Sequence, residues 1–161
     1  MSKSMAEDIL LYLAGAGLRV CILRPSSVYG VGLARNKLVT KFLSLALQGS
    51  TIELVEPIDD EVDLLHAADL AEAALEALEH QAWGVYNVSS ERPITIQKIA
   101  EACVSVAGRG QIVVKPDPVG RRRVSRFLLN SEKARRGFQF SPKYSLEAGL
   151  EGMVHEMGEI L

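Results

Sequence analysis

The run Arg19-Val-Cys-Ile-Leu-Arg24 limits what this chain can fold into more than any other feature. Its four middle residues are apolar on consecutive positions and partly β-branched, the pattern of a short strand covered on both faces, and Pro25 ends it. Such a strand needs neighbours along its edges and layers above and below, because otherwise its backbone groups and side chains meet water. Only 85–88 and 62–66 offer comparable partners for a shared sheet. The expectation is a parallel sheet that this chain supplies only in part.

Strand-like and helix-like segments alternate, which argues an α/β arrangement rather than a bundle or sandwich. Helices are expected at 3–15, where Ser4 and Glu7 have capping-box spacing, and at 37–48, with Leu38, Phe42, Leu45 and Ala46 on one face. Others are expected at 70–80 behind an Asp69 cap, at 96–107 behind a Thr95 cap, at 131–136 and at 145–160. Strands are expected at 51–55, 62–66, 84–88 and 112–114, with 124–129 extended. The segment 25–35 reads as a loop.

At 161 residues with 48% hydrophobic content, the chain has the size and apolar share of one globular domain. Its net charge of −2 draws it neither to nucleic acid nor to a membrane. The longest apolar stretches, 9–14 and 43–47, fall far short of a bilayer span, and no basic segment precedes an apolar leader at the N-terminus. Cys21 and Cys103 have neither zinc-ligand nor disulfide-framework spacing, so no metal and a reducing cytoplasm are expected. His66 reads as a hydrogen-bonded structural residue, His80 and His155 as surface, Trp83 and Tyr86 as core.

Charge is uneven. Between 115 and 136 lie eight basic and two acidic residues, while 53–63 carries six acidic residues and no base. The acidic run is expected to face water. The basic segment lacks the interleaved aromatics of a nucleic-acid surface. No Gly-x-Gly-x-x-Gly, the backbone cradle of a dinucleotide pyrophosphate, joins a strand to a helix; Gly30-Val-Gly32 comes nearest and reads as a turn.

Several segments together resemble one family. Ser2-Lys3-Ser4-Met5-Ala6-Glu7 resembles the end of Tyr-x-x-Ser-Lys-x-x-x-Glu, and Leu23-Arg24-Pro25-Ser26-Ser27-Val28-Tyr29-Gly30 resembles Leu-Arg-Pro-x-Asn-Val-Tyr-Gly. The run 63–71 is similar to Asp-x-x-His-Val-x-Asp-x-Ala, and Gly84-Val85-Tyr86-Asn87-Val88 to Gly-x-Tyr-Asn-Val. Ser131-Glu132-Lys133-Ala134, Phe140-Ser141-Pro142 and Leu146-Glu147-Ala148-Gly149-Leu150 resemble closing motifs of the same family. These are motifs of the extended short-chain dehydrogenase/reductases, in particular the NAD-dependent nucleotide-sugar epimerases and dehydratases, in the family's order.

The resemblance implies the C-terminal part of such an enzyme: a partial Rossmann-like parallel sheet, missing its N-terminal nucleotide-binding half, plus a small α+β substrate-binding subdomain. Residues 1–30 and 63–90 would be the Rossmann-like elements, 31–62 and 91–161 the subdomain. It implies NAD or NADP as cofactor and a nucleotide sugar or similar phosphorylated small molecule as ligand. Lys3 takes the place of the lysine that acidifies the catalytic tyrosine and holds the nicotinamide ribose; that tyrosine would lie before Met1.

Pro25, Ser26 and Ser27 fall where the family's loop meets nicotinamide and substrate, with Ser27 replacing an asparagine, although a Pro-initiated turn fits the same residues. Asn36 aligns with a diphosphate-binding asparagine and equally suits a helix N-cap. Arg121, Arg122 and Arg123 lie where the family places a phosphate-binding arginine, or else form a solvated loop. Val62 stands where many UDP-sugar enzymes have arginine, and Asn130 where aspartate is common. The isolated chain is expected to be inactive. The alternative is a non-catalytic subunit that binds a phosphorylated ligand or completes a sheet, as a homo-oligomer or with a complementing N-terminal half.

Overall fold

A computed structural model of the chain describes residues 2–34, 36–120 and 124–158. Helix α1, Lys3–Gly15, has the expected bounds, but Ser2, two residues before Ser4, is the cap, and its Oγ accepts the Met5 N–H at 3.3 Å. The apolar run that follows forms β1, Cys21–Pro25, and pairs in parallel with β5, Gly84–Val88, from Cys21 opposite Gly84 to Pro25 opposite Val88.

Beyond Ser26 the chain re-enters a second sheet as β2, Ser27–Tyr29, inside the segment expected to be loop. Three residues after a proline, one of them serine, carry too little pattern to announce a strand. β2 runs parallel to β4, Glu61–His66, which pairs on its other side antiparallel with β6, Pro93–Thr95. The segment 62–66 therefore does not join the sheet of 20–23, and that sheet has two strands among the described residues. A third pair, β3 at Thr51–Val55 with β7 at Gln111–Lys115, is parallel.

Two apolar interiors result. In one, α2 (Leu38–Leu47), α4 (Ile96–Ala107) and α6 (Leu146–Gly158) close over β3 around Phe42, Leu43, Ile52, Ile99, Cys103 and Leu150. Helix α2 is apolar nearly all round, so packing against α4 selects its face: Val39, Phe42, Leu43 and Ala46 are buried, with Leu38 and Leu45 at the margin. Thr95 caps α4 as expected, its Oγ1 accepting the Lys98 N–H at 3.2 Å.

In the other interior, α3 (Ala67–Glu79) and α5 (Glu132–Phe138) pack under β5 around Ala73, Ala77, Tyr86, Val88, Phe138 and Phe140. Helix α3 starts before Asp69. His66 is its cap, with Nδ1 accepting the Ala68 N–H at 3.3 Å. Asp69 lies buried in the first turn, accepting the Lys143 and Tyr144 N–H groups at 2.9 and 3.3 Å, so it anchors the entry to α6 instead of capping its own helix. Trp83 keeps 37% of its surface exposed, with the Arg19 guanidinium 5.5 Å from its ring centroid, whereas Tyr86 is core.

The strand expected to be covered on both faces is only half covered. Cys21, Ile22 and Leu23 are intermediate in burial, and α1 buries none of its residues, leaving Ile9 and Tyr12 well exposed, Tyr12 at 78%. Among the described residues β1 is hydrogen-bonded along one edge only. Both the second edge of β1 and the apolar residues of α1 thus lie uncovered among the described residues.

Candidate ligand-binding site

At the carboxyl end of β1, where the chain steps from the first sheet to the second, a cavity of about 820 Å³ opens between α1, β2, β4 and the start of α2. Open α/β sheets place ligands at this kind of position, outside the carboxyl ends of parallel strands. Lys3 stands on its α1 wall; Pro25, Ser26 and Ser27 form its floor. Asn36 is exposed and does not line it, nor does it cap α2. Its neighbour Lys37 holds the N-cap position and lines the cavity. Arg121, Arg122 and Arg123 lie outside the described residues.

The wall beside Lys3 is braced by Glu7 and Arg24. The guanidinium donates to both carboxylate oxygens, with Nε to Oε2 at 3.1 Å, and holds the Glu7 carboxyl below its ordinary value. Arg24 is thereby occupied, while Lys3 and Lys37 have no ion-pair partner among the described residues. Ser26 is 6% exposed: its N–H donates to the Val88 carbonyl at 3.0 Å, continuing the β1–β5 ladder by one bond, and its hydroxyl reaches Asp63 Oδ1 at 3.4 Å. Thr40, in the first turn of α2, lines the cavity, and its buried Oγ1 has no partner among the described residues. A buried hydroxyl without a partner is costly and is an available donor or acceptor.

The acidic run does not face water throughout. Asp63 is fully buried, because β4 alternates and Asp63 shares the inward face with Leu65. Its carboxylate accepts the Ser90 N–H at 3.0 Å, the Ser90 hydroxyl at 2.7 Å and the Glu91 N–H at 3.3 Å. Lys37, Thr40 and Asp63 were missed in the sequence. An apolar flank on both sides of Asp63 was the available signal for it, and Lys37 lies one residue from Asn36.

The glycines near the cavity make no pyrophosphate cradle. Gly30, at φ 150°, packs against α3, where an added Cβ would meet the Ala67 Cβ at 3.0 Å, and it opens no helix.

The cavity thus lies at a strand-end crossing of an α/β fold, with Lys3, Lys37 and the hydroxyls of Ser26, Ser27 and Thr40 set among apolar side chains such as Ile22, Val28, Leu38 and Val62. Residues 1–89 match the family described as the NAD dependent epimerase/dehydratase family, and the chain belongs to it. It is 30% identical over 158 residues to a dTDP-4-dehydro-6-deoxy-D-allose reductase from Streptomyces sp, an alignment covering 94% of this chain and 47% of that protein.

Among solved structures it is similar to the Thermotoga maritima UDP-glucose 4-epimerase with UDP-glucose, at 25% identity and TM-score 0.85, covering 98% of this chain and 52% of that one. A Bacillus anthracis dTDP-glucose 4,6-dehydratase in complex with NAD follows at 26% identity and TM-score 0.82, covering 98% and 50%. The chain spans about half the length of the curated relative it matches. Among the described residues no helix is long and apolar enough to cross a membrane.

Proposed function

We propose that the chain is the substrate-side portion of an NAD(P)-dependent enzyme acting on a nucleotide sugar, and that the cavity at the end of β1 receives the sugar diphosphate. The observation that carries this reading is the pair of lysines without ion-pair partners, Lys3 and Lys37, on the walls of one cavity whose floor offers Ser26, Ser27 and Thr40. Ammonium groups supply the charge a diphosphate needs, and the start of α2, whose residues 37–40 line the same space, adds the positive end of its dipole. Arg121, Arg122 and Arg123 add further phosphate contacts in this reading, and Pro25 and Ser26 meet the nicotinamide.

A bound nicotinamide would supply hydride transfer at a sugar carbon, ending in epimerisation, dehydration or reduction. This chain's residues bind and orient: Lys3 places a positive charge where a phenol of a complementing half would have to ionise. The open edge of β1 and the uncovered face of α1 suit such a half, which brings the glycine-rich cradle and the tyrosine. Alone, the chain holds the sugar nucleotide without turning it over. Free thiols at Cys21 and Cys103 suit a reducing cytoplasm.

Calorimetry with UDP-glucose, dTDP-glucose and NAD tests the reading. Saturable binding of a nucleotide sugar, weakened at least fivefold by Lys37→Ala, is expected. Submicromolar NAD binding to the chain alone, or no binding of either sugar nucleotide, overturns it. The open edge favours one further reading, a sheet-completing subunit without chemistry of its own; a well-behaved monomer in sedimentation argues against completion by a second copy.

A further inference from the structure

The chain passes from its first sheet to its second twice, returning between them through β4 and α3. β1 reaches β2 through the single residue Ser26, and β5 reaches β6 through 89–92. One carboxylate touches both passages. Asp63 Oδ1 accepts from Ser26 Oγ on the first and from the Ser90 N–H and hydroxyl on the second, and Oδ2 accepts from the Glu91 N–H. The side chain has no exposure and no ion-pair partner among the described residues, so these four donors are what offset its desolvation.

The second passage is held from its other side too. Ser89 N–H donates to Ser131 Oγ at 2.9 Å, and the Glu91 carboxylate accepts the Ser131 N–H at 2.7 Å while pairing with Arg135. Glu91 itself sits at φ 54°, a left-handed conformation that a non-glycine residue keeps only where its surroundings fix it. Strand propensity does not ask for an aspartate in the middle of β4, and no charge there requires pairing; what the carboxylate does is join the two passages at one point.

We propose that Asp63 is a positioning residue: it locks the two sheet-to-sheet passages together and so sets the floor of the ligand cavity through Ser26. It touches no ligand. Its effect on affinity rests on the reading of the cavity given above, while its effect on the passages does not.

Amide hydrogen exchange of the full chain, with calorimetry against UDP-glucose, tests this. In Asp63→Asn one oxygen becomes an NH2 donor, which faces either the Ser90 pair or the Glu91 N–H, so the donor set cannot be satisfied. The Ser90 and Glu91 amides are expected to exchange at least tenfold faster than in the wild type, with the α4 amides at Ile99 and Cys103 unchanged and the UDP-glucose Kd raised about tenfold. Ile99→Val, which lowers global stability without touching Asp63, is expected to leave the ratio of Ser90 to α4 exchange as it is. Should Asp63→Asn fail to fold, Ser90→Ala, which removes one donor, is expected to speed exchange at Glu91 and at Ser26 together. Unchanged exchange at these amides in the folded variants overturns the proposal. If the wild-type chain binds no UDP-glucose, the reading of the cavity falls and the exchange rates alone decide the role of Asp63.

Discussion

Tyr29 donates its phenol hydrogen to the carbonyl of Ser145 at 3.1 Å across 116 positions of sequence, tying the end of β2 to the start of α6. The ring approaches that helix so closely that only glycine fits beside it: a Cβ at Gly149 would stand 2.3 Å from Tyr29 Oη. Burial, with Asp69 and Glu147 adding, pushes the phenol above its ordinary value, so it stays neutral and donating through pH 10.

Gly149→Ala must therefore displace a buried, tethered ring. A loss of about 1–3 kcal/mol is expected, read as a fall in the midpoint of urea unfolding. Tyr29→Phe should restore part of this loss in the double variant, since the closest clashing atom is the hydroxyl oxygen.

His66 lies between Tyr29, edge-on at 5.1 Å, and Tyr144, stacked at 4.2 Å. Burial lowers its proton affinity despite the opposing pull of Asp69 and Glu156. The unfolded chain then binds more protons than the folded one below the ordinary imidazole range, so stability is full above about pH 6.5 and is lost as pH falls from there. His66→Asn keeps an acceptor for the Ala68 N–H and removes the titration. Its unfolding midpoint should change less between pH 7.5 and 5.5 than that of the wild type, in thermal melts at both pH values.

The two thiols should separate by reactivity. Burial pushes Cys103, inside the α4 interface, up to about 12, whereas Cys21 is half exposed on β1 and raised less. At pH 8 an aromatic disulfide reagent should modify Cys21 alone in the native chain, and both once urea unfolds it. Rapid release from both sites in the native chain would count against the packing of α2 on α4.

For the cavity, Lys3→Ala and Lys37→Ala should each weaken UDP-glucose binding several-fold, with the losses shrinking as salt rises from 50 to 500 mM. Asn36→Ala, one residue away but outside the cavity lining, should bind like the wild type. Titration calorimetry on the three variants separates the two adjacent positions.

The elements that announced themselves are those with length or punctuation. Thr95 before an apolar-periodic run gave α4, and Val85–Val88 with Gly84 ahead gave β5. β2 and β6 have three residues each, and nothing in Ser27-Val-Tyr29 or Pro93-Ile-Thr95 distinguishes strand from loop until β4 is placed between them. Asp63 was hidden by composition: five other acidic residues nearby made solvent its natural place, and only the register of β4 turns it inward. The cavity's floor at 25–27 was legible because motif and strand end coincide there. Lys37 and Thr40 were not, because the start of α2 fell one residue later than the sequence suggested.

Since α2, α4 and α6 enclose their own oily centre without a residue of β1 or β5 in it, substitutions in that interior should leave the register of β1 on β5 undisturbed.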